Sequence, residues 1–411
     1  MFLRLSIILT ILVSSLGSLR AGELTIDEAV SEALQSNPAL KAKEASVAAA
    51  KAAIGVARSL DDPMAGVQFY DVPINTTDVR QGMETNYSIS QTFPFPSKLI
   101  LQGKIAKKSW LAEKSDYEAK RLEIIVKTEH AFHELYQIEK TLKINQELQG
   151  LFANLSASEE GKYTTGDKNS QDFLKSKVEL DKLQNESFLL EAKEVGARAM
   201  LNILRNRNPG EAVALADLPS HDHPFSSYEE FEKRVLEKHP RLKASQYNLE
   251  ASKANLTLAK QNNFFPNFQT KFSYAQRFGQ QDAWTAEGAI TVPFLWGKNR
   301  KMLKEARALK KLSEQEYLNV KNERLAHLRQ SYAEMESGQK SVDLFQSQIV
   351  PHATIAFQSA KAVYESGKGD FLSLIDSARS FKEARLGALD AFVAYHRAMT
   401  HLKEAVGEEN L

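Results

Sequence analysis

The most constraining feature of this 411-residue sequence is an internal repeat whose two copies begin about 200 residues apart. The first copy opens with Thr25-Ile-Asp-Glu28 and the second with Ser227-Tyr-Glu-Glu230, and both segments fit a capping box at a helix start. Proline motifs follow, Asn37-Pro-Ala-Leu-Lys-Ala42 and His239-Pro-Arg-Leu-Lys-Ala244. Each copy then continues through an alanine-rich helix, two strand-like segments, a proline break, a basic stretch and a long helical region. We therefore predict a duplicated fold.

Long helices are predicted in both copies. The stretch from Lys98 to about Asn154 contains no proline, and at 1.5 Å per residue it would be roughly 85 Å long. The second copy repeats this stretch from Lys298 to Val350, and Pro351 predicts a kink or a boundary. A narrow apolar stripe typical of a coiled-coil seam is formed by Leu148, Leu151, Phe152 and Leu155. The helices alone favour an antiparallel coiled-coil bundle without a pore.

Four segments alternate apolar and polar residues with the period of a half-buried β-strand. Their apolar positions are Val67 and Phe69; Tyr87, Ile89 and Phe93; Phe268, Thr270, Phe272, Tyr274 and Phe278; and Trp284, Ala286, Gly288, Ile290 and Val292. Lengths near ten residues and aromatic ends are typical of transmembrane strands. The alternative is a small soluble sheet that packs on the helices.

The N-terminus predicts export from the cytoplasm. Arg4 precedes a short apolar core and a run of small residues, which is the pattern of a secretory signal over residues 1–22. A single N-terminal membrane helix is the alternative, but the apolar run is shorter than the ~20 residues that span a bilayer. Because no later segment has a long uninterrupted apolar run, any membrane insertion would require the strands.

The composition and the motifs favour neither an enzyme nor a nucleic-acid-binding protein. A net charge of +1 lacks the basic excess that nucleic acid requires. The absence of cysteine excludes disulfides, thiolate chemistry and a lipidated N-terminal cysteine. His130 and His133 could form half a metal site, and His221 and His223 lie in a predicted loop, but a polar helix face explains the first pair better. We predict no catalytic residues, no metal and no cofactor.

Membrane strands would require the chain to assemble. Four strands cannot close a barrel, and an open sheet edge in lipid leaves backbone groups without hydrogen bonds. Two copies would provide eight strands, a size at which side chains fill the interior. Three copies would provide twelve strands around a water-filled lumen. Transmembrane strands therefore predict an oligomer, and a conducting pore predicts a trimer.

At these motifs the sequence resembles the TolC-type outer-membrane efflux family over about residues 24–406, with the heavy-metal branch slightly favoured. The resemblance rests on the two proline openings, on Ser90–Lys98 with its partner Ile290–Lys298, and on two turns. These turns are Tyr163-Thr-Thr-Gly166 and Tyr364-Glu-Ser-Gly367. The resemblance implies a mainly α fold with a β membrane part: a homotrimer with a long antiparallel coiled-coil helical barrel and a twelve-stranded β-barrel.

The resemblance also implies an organisation of the chain. Residues 1–22 are the signal peptide, residues 23–204 the first repeat, and residues 205–226 an equatorial linker. Residues 227–406 are the second repeat, and residues 407–411 form a C-terminal tail.

Three groups of functional residues follow from the resemblance. The transition from strand to helix at the periplasmic side is assigned to Pro94, Pro96, Lys98, Pro293, Gly297 and Lys298. The periplasmic tips that meet an adaptor are assigned to Tyr163, Gly166, Tyr364 and Gly367, where the glycines would permit tight turns with positive φ and the tyrosines would pack. The pore or gate candidates are Asp167, Lys168, Lys368 and Asp370, which threefold symmetry would repeat as charged rings. Solvated loop charges are the alternative reading of these four.

The function implied is that of an exit duct in the bacterial outer membrane, with its helical part in the periplasm. Its partners would be a periplasmic adaptor, an inner-membrane pump of the RND type or an ABC transporter, and outer-membrane lipid, but no nucleic acid. A type I protein-secretion duct and a soluble periplasmic coiled-coil scaffold are the alternatives. The sequence does not indicate the substrate.

Overall fold

The computed structural model describes residues 23–164, 170–219, 226–293 and 295–409. The predicted signal peptide lies outside these residues. The helices and strands of the first repeat are α1 (Ile26–Ser36), α2 (Pro38–Val56), β1 (Met64–Tyr70), β2 (Glu84–Phe93), α3 (Pro96–Thr164) and α4 (Ser170–Leu204). Those of the second repeat are α5 (Tyr228–Lys238), α6 (Pro240–Phe264), β3 (Phe268–Arg277), β4 (Ala283–Ile290), α7 (Lys298–Leu344), α8 (Val350–Glu365) and α9 (Phe371–Val406). The first repeat's order of two helices, two strands and two long helices recurs in the second repeat, where the first long helix is divided into α7 and α8.

The two helix starts predicted as capping boxes differ. At α1, Thr25 Oγ1 accepts a hydrogen bond from the Glu28 amide at 3.2 Å, and the Thr25 amide donates to the Glu28 carboxylate at 2.9 Å. At α5, Ser227 accepts from the Glu230 amide at 3.4 Å, but the Glu230 carboxylate pairs with Arg234 one turn further on. The predicted capping box is therefore complete in the first repeat. In the second repeat the Ser227 side chain caps the helix as predicted, but the prediction that the Glu230 carboxylate bonds back to the Ser227 amide is wrong.

The two proline motifs begin α2 and α6 in the same way. Pro38 and Pro240 occupy the first helical position, where the missing amide has no helical partner to lose. The preceding side chains cap the helices: Asn37 Oδ1 accepts from the Ala39 amide, and His239 Nδ1 accepts from the Arg241 amide.

The long helix of the first repeat extends beyond its predicted ends, whereas that of the second repeat begins at Lys298 as predicted and ends at Leu344. With 69 residues, α3 spans about 100 Å. In the second repeat a π-helical turn, Phe345–Ile349, separates α7 from α8 and ends two residues before Pro351. The proline ring would clash with a carbonyl one turn earlier in a regular α-helix, and the wider turn relieves that clash. The boundary predicted at Pro351 is thus confirmed. Among the described residues, no helix is both long enough and apolar enough to cross a membrane.

The four strands form one antiparallel sheet in the order β1-β2-β3-β4, so that the central β2–β3 pair joins the two repeats. Two predicted strand ends are wrong. Phe278 lies outside β3, because pairing with β2 ends at Arg277 and Gly279 turns the chain with a φ of +83°. Val292 lies outside β4, because the partner strand begins at Phe268, opposite Ile290.

Three apolar clusters hold the helices together. The first joins α1 to α3, α4 and the segment around Leu218, and it is next to a short parallel bridge between Leu24 and Leu215. The second lies between the α3–α4 and α8–α9 pairs, and the third joins α5, α7 and α9. Their largest fully buried members include Phe132, Leu135, Leu148, Leu201, Phe231, Leu328, Met335, Phe371, Leu374 and Tyr395.

Thr25→Ala should cost more than Ser227→Ala, because only Thr25 takes part in two reciprocal hydrogen bonds. We expect Thr25→Ala to lower local stability by about 0.5–2 kcal/mol and to speed amide hydrogen exchange in the first turn of α1. Ser227→Ala, the matched control from the other repeat, should speed exchange in α5 less. Equal effects at the two starts would contradict the difference in capping.

Candidate functional site

One face of the sheet is apolar, aromatic and uncovered. Trp284 is 70% exposed, and its ring stacks against Phe272 with the centroids 6.0 Å apart. The exposed apolar side chains of this face are Val67, Phe69, Tyr87, Ile89, Phe93, Phe268, Phe272, Tyr274, Trp284 and Ile290. A soluble sheet that packed on the helices would bury such a face. An uncovered apolar band with aromatic members is instead typical of a surface that contacts lipid or another protein.

The two outer strands of the sheet pair on one side only within the described residues. β1 bonds to β2 alone, and β4 bonds to β3 alone. Their outer edges therefore present free backbone donors and acceptors, which are a template for pairing with another chain.

The transition from β2 to α3 is a tightly packed joint. Pro96 begins α3, and Phe95 stacks on Phe265 with ring centroids 4.4 Å apart. Lys98 is 5% exposed, and its Nζ donates to the Phe265 carbonyl and to Asn267 Oδ1, each at 2.8 Å. Burial lowers the pKa of the Lys98 ammonium. The partners belong to the α6–β3 connection, so this joint fastens the first repeat to the second.

The transition from β4 to α7 is built differently. Gly297 precedes α7 with a φ of +68°, a conformation that glycine adopts without strain, and Asn299 Nδ2 donates to the Pro293 carbonyl at 2.6 Å. Lys298 is exposed, as is the adjacent Trp296, which is 91% exposed. The structure thus places the matching lysines of the two repeats in opposite surroundings, although the sequence predicts the same role for both.

The turn between α8 and α9 contains four of the predicted residues. Gly367 has a φ of +75°, as predicted, and the Lys368 amide donates to the Val363 carbonyl. Tyr364 is buried and its ring packs on Phe371 with centroids 5.5 Å apart, which confirms its packing role.

The charges of this turn point outward. Lys368 and Asp370 are exposed, and Asp370 begins α9 without using its side chain as a cap. Their role in a pore stays a prediction. In the other turn, Tyr163 lies in the last turn of α3, and Gly166, Asp167 and Lys168 lie outside the described residues.

A row of ion pairs near this turn was missed by the sequence reasoning. Three basic residues of α9 bond to glutamates of α4 and α3. The pairs are Arg379–Glu179 at 2.6 Å, Lys382–Glu186 at 2.5 Å and Arg385–Glu147 at 2.6 Å. The basic residues recur every three positions, which was a visible signal, but their partners lie far away in sequence. Because the pairs are partly exposed, each contributes roughly 0–1 kcal/mol, so the fastening is weak and reversible.

Histidines from three long helices meet between α3, α7 and α9. The ring of His130 lies 4.7 Å from that of His401, and the ring of His133 lies 5.8 Å from that of His396. His133 is almost fully buried, neither of its ring nitrogens has a hydrogen-bond partner in the described part of the chain, and burial lowers its pKa to about 3. Burial also lowers the pKa of His130, to about 4. The imidazoles of His130 and His133 are therefore neutral near pH 7.

Part of this cluster has a spacing that could suit a metal. His327, His401 and Glu404 offer ligand atoms within 4.8 Å of one another. Arg324 interacts electrostatically with both His327 and Glu404, and its positive charge opposes a bound cation. The predicted absence of a metal stays a prediction, and the sequence reasoning had not connected these three residues.

Lys98→Met should destabilise the protein, because the Phe265 carbonyl and Asn267 would lose a charged donor in a buried place. We expect the free energy of unfolding to fall by about 1.5–3 kcal/mol, measured by urea unfolding in detergent. Lys301→Met removes an exposed lysine from the first turn of α7 and should change it little. A loss no larger than the control's would contradict the role of Lys98.

Stability should fall as the pH drops below about 6.5, because the unfolded chain then protonates His133 while the folded protein, with a pKa of about 3, does not. His133→Leu removes this difference. The variant should therefore lose less stability between pH 7 and pH 5, by up to about 1.4 kcal/mol per pH unit. The measurement is the urea midpoint against pH. His352→Leu, at an exposed position on α8, is the control, and an unchanged slope in His133→Leu would contradict the account.

The model of the family described as outer membrane efflux protein matches residues 233–408, most of the second repeat. The outer-membrane channel OprN is 19% identical, with a TM-score of 0.80 over 93% of this chain and 89% of OprN. VceC from Vibrio cholerae is 17% identical, with a TM-score of 0.78 over 93% of this chain and 96% of VceC. The open state of the MtrE channel from Neisseria gonorrhoeae is 18% identical, with a TM-score of 0.76 over 93% of this chain and 89% of MtrE. No curated protein sequence matches the chain.

These matches confirm the predicted TolC-like architecture of long helices with a small sheet. They do not separate a heavy-metal branch from other branches, so that preference stays a prediction. Residues 233–408 are therefore similar to the outer membrane efflux protein family, and over 93% of its length the chain has the TolC-like fold of the channels OprN, VceC and MtrE.

Proposed function

We propose that the chain is the outer-membrane exit duct of a tripartite efflux system and that three copies form one channel. The observation that carries the proposal is the small sheet, which combines an uncovered apolar face with two unpaired edges. In lipid the apolar face is favourable, but the edges are costly unless another copy pairs with them. Three copies would close a twelve-stranded barrel wide enough to hold water.

The long helices continue the duct away from the sheet. Both α3 and α7 begin within a few residues of a strand end, at Pro96 and Lys298, so the wall passes directly from strands to helices. A helix about 100 Å long suits the distance across a periplasm. Such a duct supplies a path for substrates and no chemistry, so export would be passive and driven by an inner-membrane pump of the RND type or an ABC transporter.

The helical turns would form the periplasmic entrance and meet an adaptor. The three ion pairs between α9 and the α3–α4 pair hold the two hairpins together, and each is weak enough to exchange partners. An adaptor that binds the separated arrangement better than the closed one would shift the entrance towards opening. Exposed Asp370 and Lys368 beside this point would form charged rings in a trimer.

Conductance across a planar bilayer tests the proposal. The purified wild-type assembly should conduct, and Asp370→Ala should weaken its preference for cations, seen as a shift of the reversal potential in a salt gradient, because a carboxylate ring attracts cations. Asp181→Ala, at an exposed position within α4, removes the same charge away from the turn and should leave selectivity unchanged.

One result would contradict the duct, and another would contradict the role of Asp370 alone. Recovery of the protein in the soluble periplasm without detergent would exclude a membrane duct. Conductance with the same selectivity in Asp370→Ala as in the wild type would remove the gate role while leaving the duct.

A further inference from the structure

Both repeats have a lysine at the start of the long helix, but among the described residues only Lys98 has partners within the protomer. Lys98 is buried and bonded to the Phe265 carbonyl and to Asn267. Lys298 is the first residue of α7 and lies five residues after Pro293, where Lys98 lies four residues after Pro94; it is exposed and bonds to no described residue of its own chain. The joint at Lys98 is complete within the protomer, whereas the corresponding joint at Lys298 lacks its partners. This difference indicates that residues of another copy complete the joint at Lys298.

The arrangement of the elements shows where the missing half lies. In the complete joint, the β2–α3 junction of one repeat meets the α6–β3 junction of the other. Two strand–helix junctions, β4–α7 and α2–β1, take no part in this joint. These sit at opposite ends of the protomer: the sheet runs β1-β2-β3-β4, and the helices beside it pack α2 on α3, α3 on α6 and α6 on α7. They cannot meet within one protomer, but they face each other when copies stand side by side.

The repeat identifies the residues that Lys298 would meet. Phe264-Phe265-Pro266 precedes β3, and Asp61-Asp62-Pro63 precedes β1, so the prolines align and Asp62 takes the place of Phe265. Asp61 and Asp62 are both exposed. We propose that Lys298 of one copy binds Asp61 and Asp62 of the next copy, which rests on the proposed assembly of the duct.

This contact would be an ionic version of the Lys98 joint. Lys98 bonds to a carbonyl and an amide, which are neutral acceptors, whereas Lys298 would meet two carboxylates. Charge-assisted hydrogen bonds are shorter and stronger than neutral ones, and salt screens them where solvent reaches. The joint inside the protomer would therefore tolerate salt, and the joint between copies would weaken with it.

Apolar residues beside both halves support the same contact. Trp296 is 91% exposed and Leu295 62% exposed next to Lys298, while Met64 is 74% exposed next to Asp62. In the complete joint, Phe95 and Phe265 cover each other at the matching place. A neighbouring copy would remove these exposed side chains from water.

The same equivalence predicts the pairing of β4 with β1 of the next copy. Pro94 matches Pro293 and Pro63 matches Pro266, so the pair Phe93–Phe268 corresponds to Val292 opposite Ala65. Two residues along the ladder, Ile290 then lies opposite Val67. Both side chains belong to the apolar face, so the register keeps that face continuous from one copy to the next, as sheet pairing requires.

Two sets of variants test the inference in the full chain, which has no cysteine of its own. Val67→Cys with Ile290→Cys should form disulfides between copies on oxidation, giving a ladder up to three chains on a non-reducing gel, because directly opposite strand residues lie close enough for a disulfide. Ile74→Cys with Ile290→Cys, where the first position lies in the β1–β2 connection, is the control and should give none.

Charge reversal tests the lysine itself. Lys298→Glu should lower the urea midpoint at which the assembly dissociates, measured by light scattering in detergent, and adding Asp61→Lys and Asp62→Lys should restore at least half of the loss. High salt should lower the wild-type midpoint more than that of Lys298→Glu. Lys301→Glu, one turn further along α7, is the charge-matched control and should have the smaller effect.

The outcomes separate this inference from the proposed function. Disulfides between copies together with a Lys298→Glu midpoint equal to that of Lys301→Glu would overturn the ionic contact and leave the duct intact. Loss in Lys298→Glu without any recovery in the combined variant would also overturn it, since the aspartates would not be the partners. Absence of both the disulfide ladder and the assembly would overturn the inference and the duct together.

Discussion

Backbone hydrogen bonding at the edges of a four-stranded sheet is the constraint on which the structure depends. β2 and β3 are satisfied on both sides, whereas β1 and β4 are satisfied on one side only within the part of the protomer that the structure describes. In water the free edges could be solvated, but the apolar face of the same sheet is unfavourable in water. In lipid the face is favourable and the edges are costly. Only pairing of edge with edge between copies satisfies both parts at once.

The helical part follows from the same duplication. Each strand pair leads into a helix that is long, largely polar and held to its neighbours by narrow apolar clusters and by ion pairs. The central joint around Lys98 connects the repeats within a protomer through buried neutral bonds, while the charged contacts of α9 with α3 and α4 are exposed and weak. The protein therefore combines a rigid junction near the sheet with weaker contacts towards the helical turns, as the proposed duct with an opening entrance would require.

The sequence predicted those features that depend on local chemistry. The repeat, the proline starts of α2 and α6, the alternating strands and the positive φ of Gly367 are each determined within a few residues. Features that depend on distant partners could not be predicted. The Glu230 carboxylate pairs with Arg234 and does not complete the predicted capping box. Lys98 is buried, whereas Lys298 is exposed. The ion pairs of α9 and the histidine cluster likewise join residues far apart in sequence.

Native mass spectrometry of the detergent-solubilised protein tests the central claim most directly, because it counts the copies that share one sheet. The account predicts a single species of three chains that persists on dilution, since no smaller number closes the sheet around a lumen. A species of one chain, with β1 and β4 unpaired and the apolar face covered only by detergent, would contradict it.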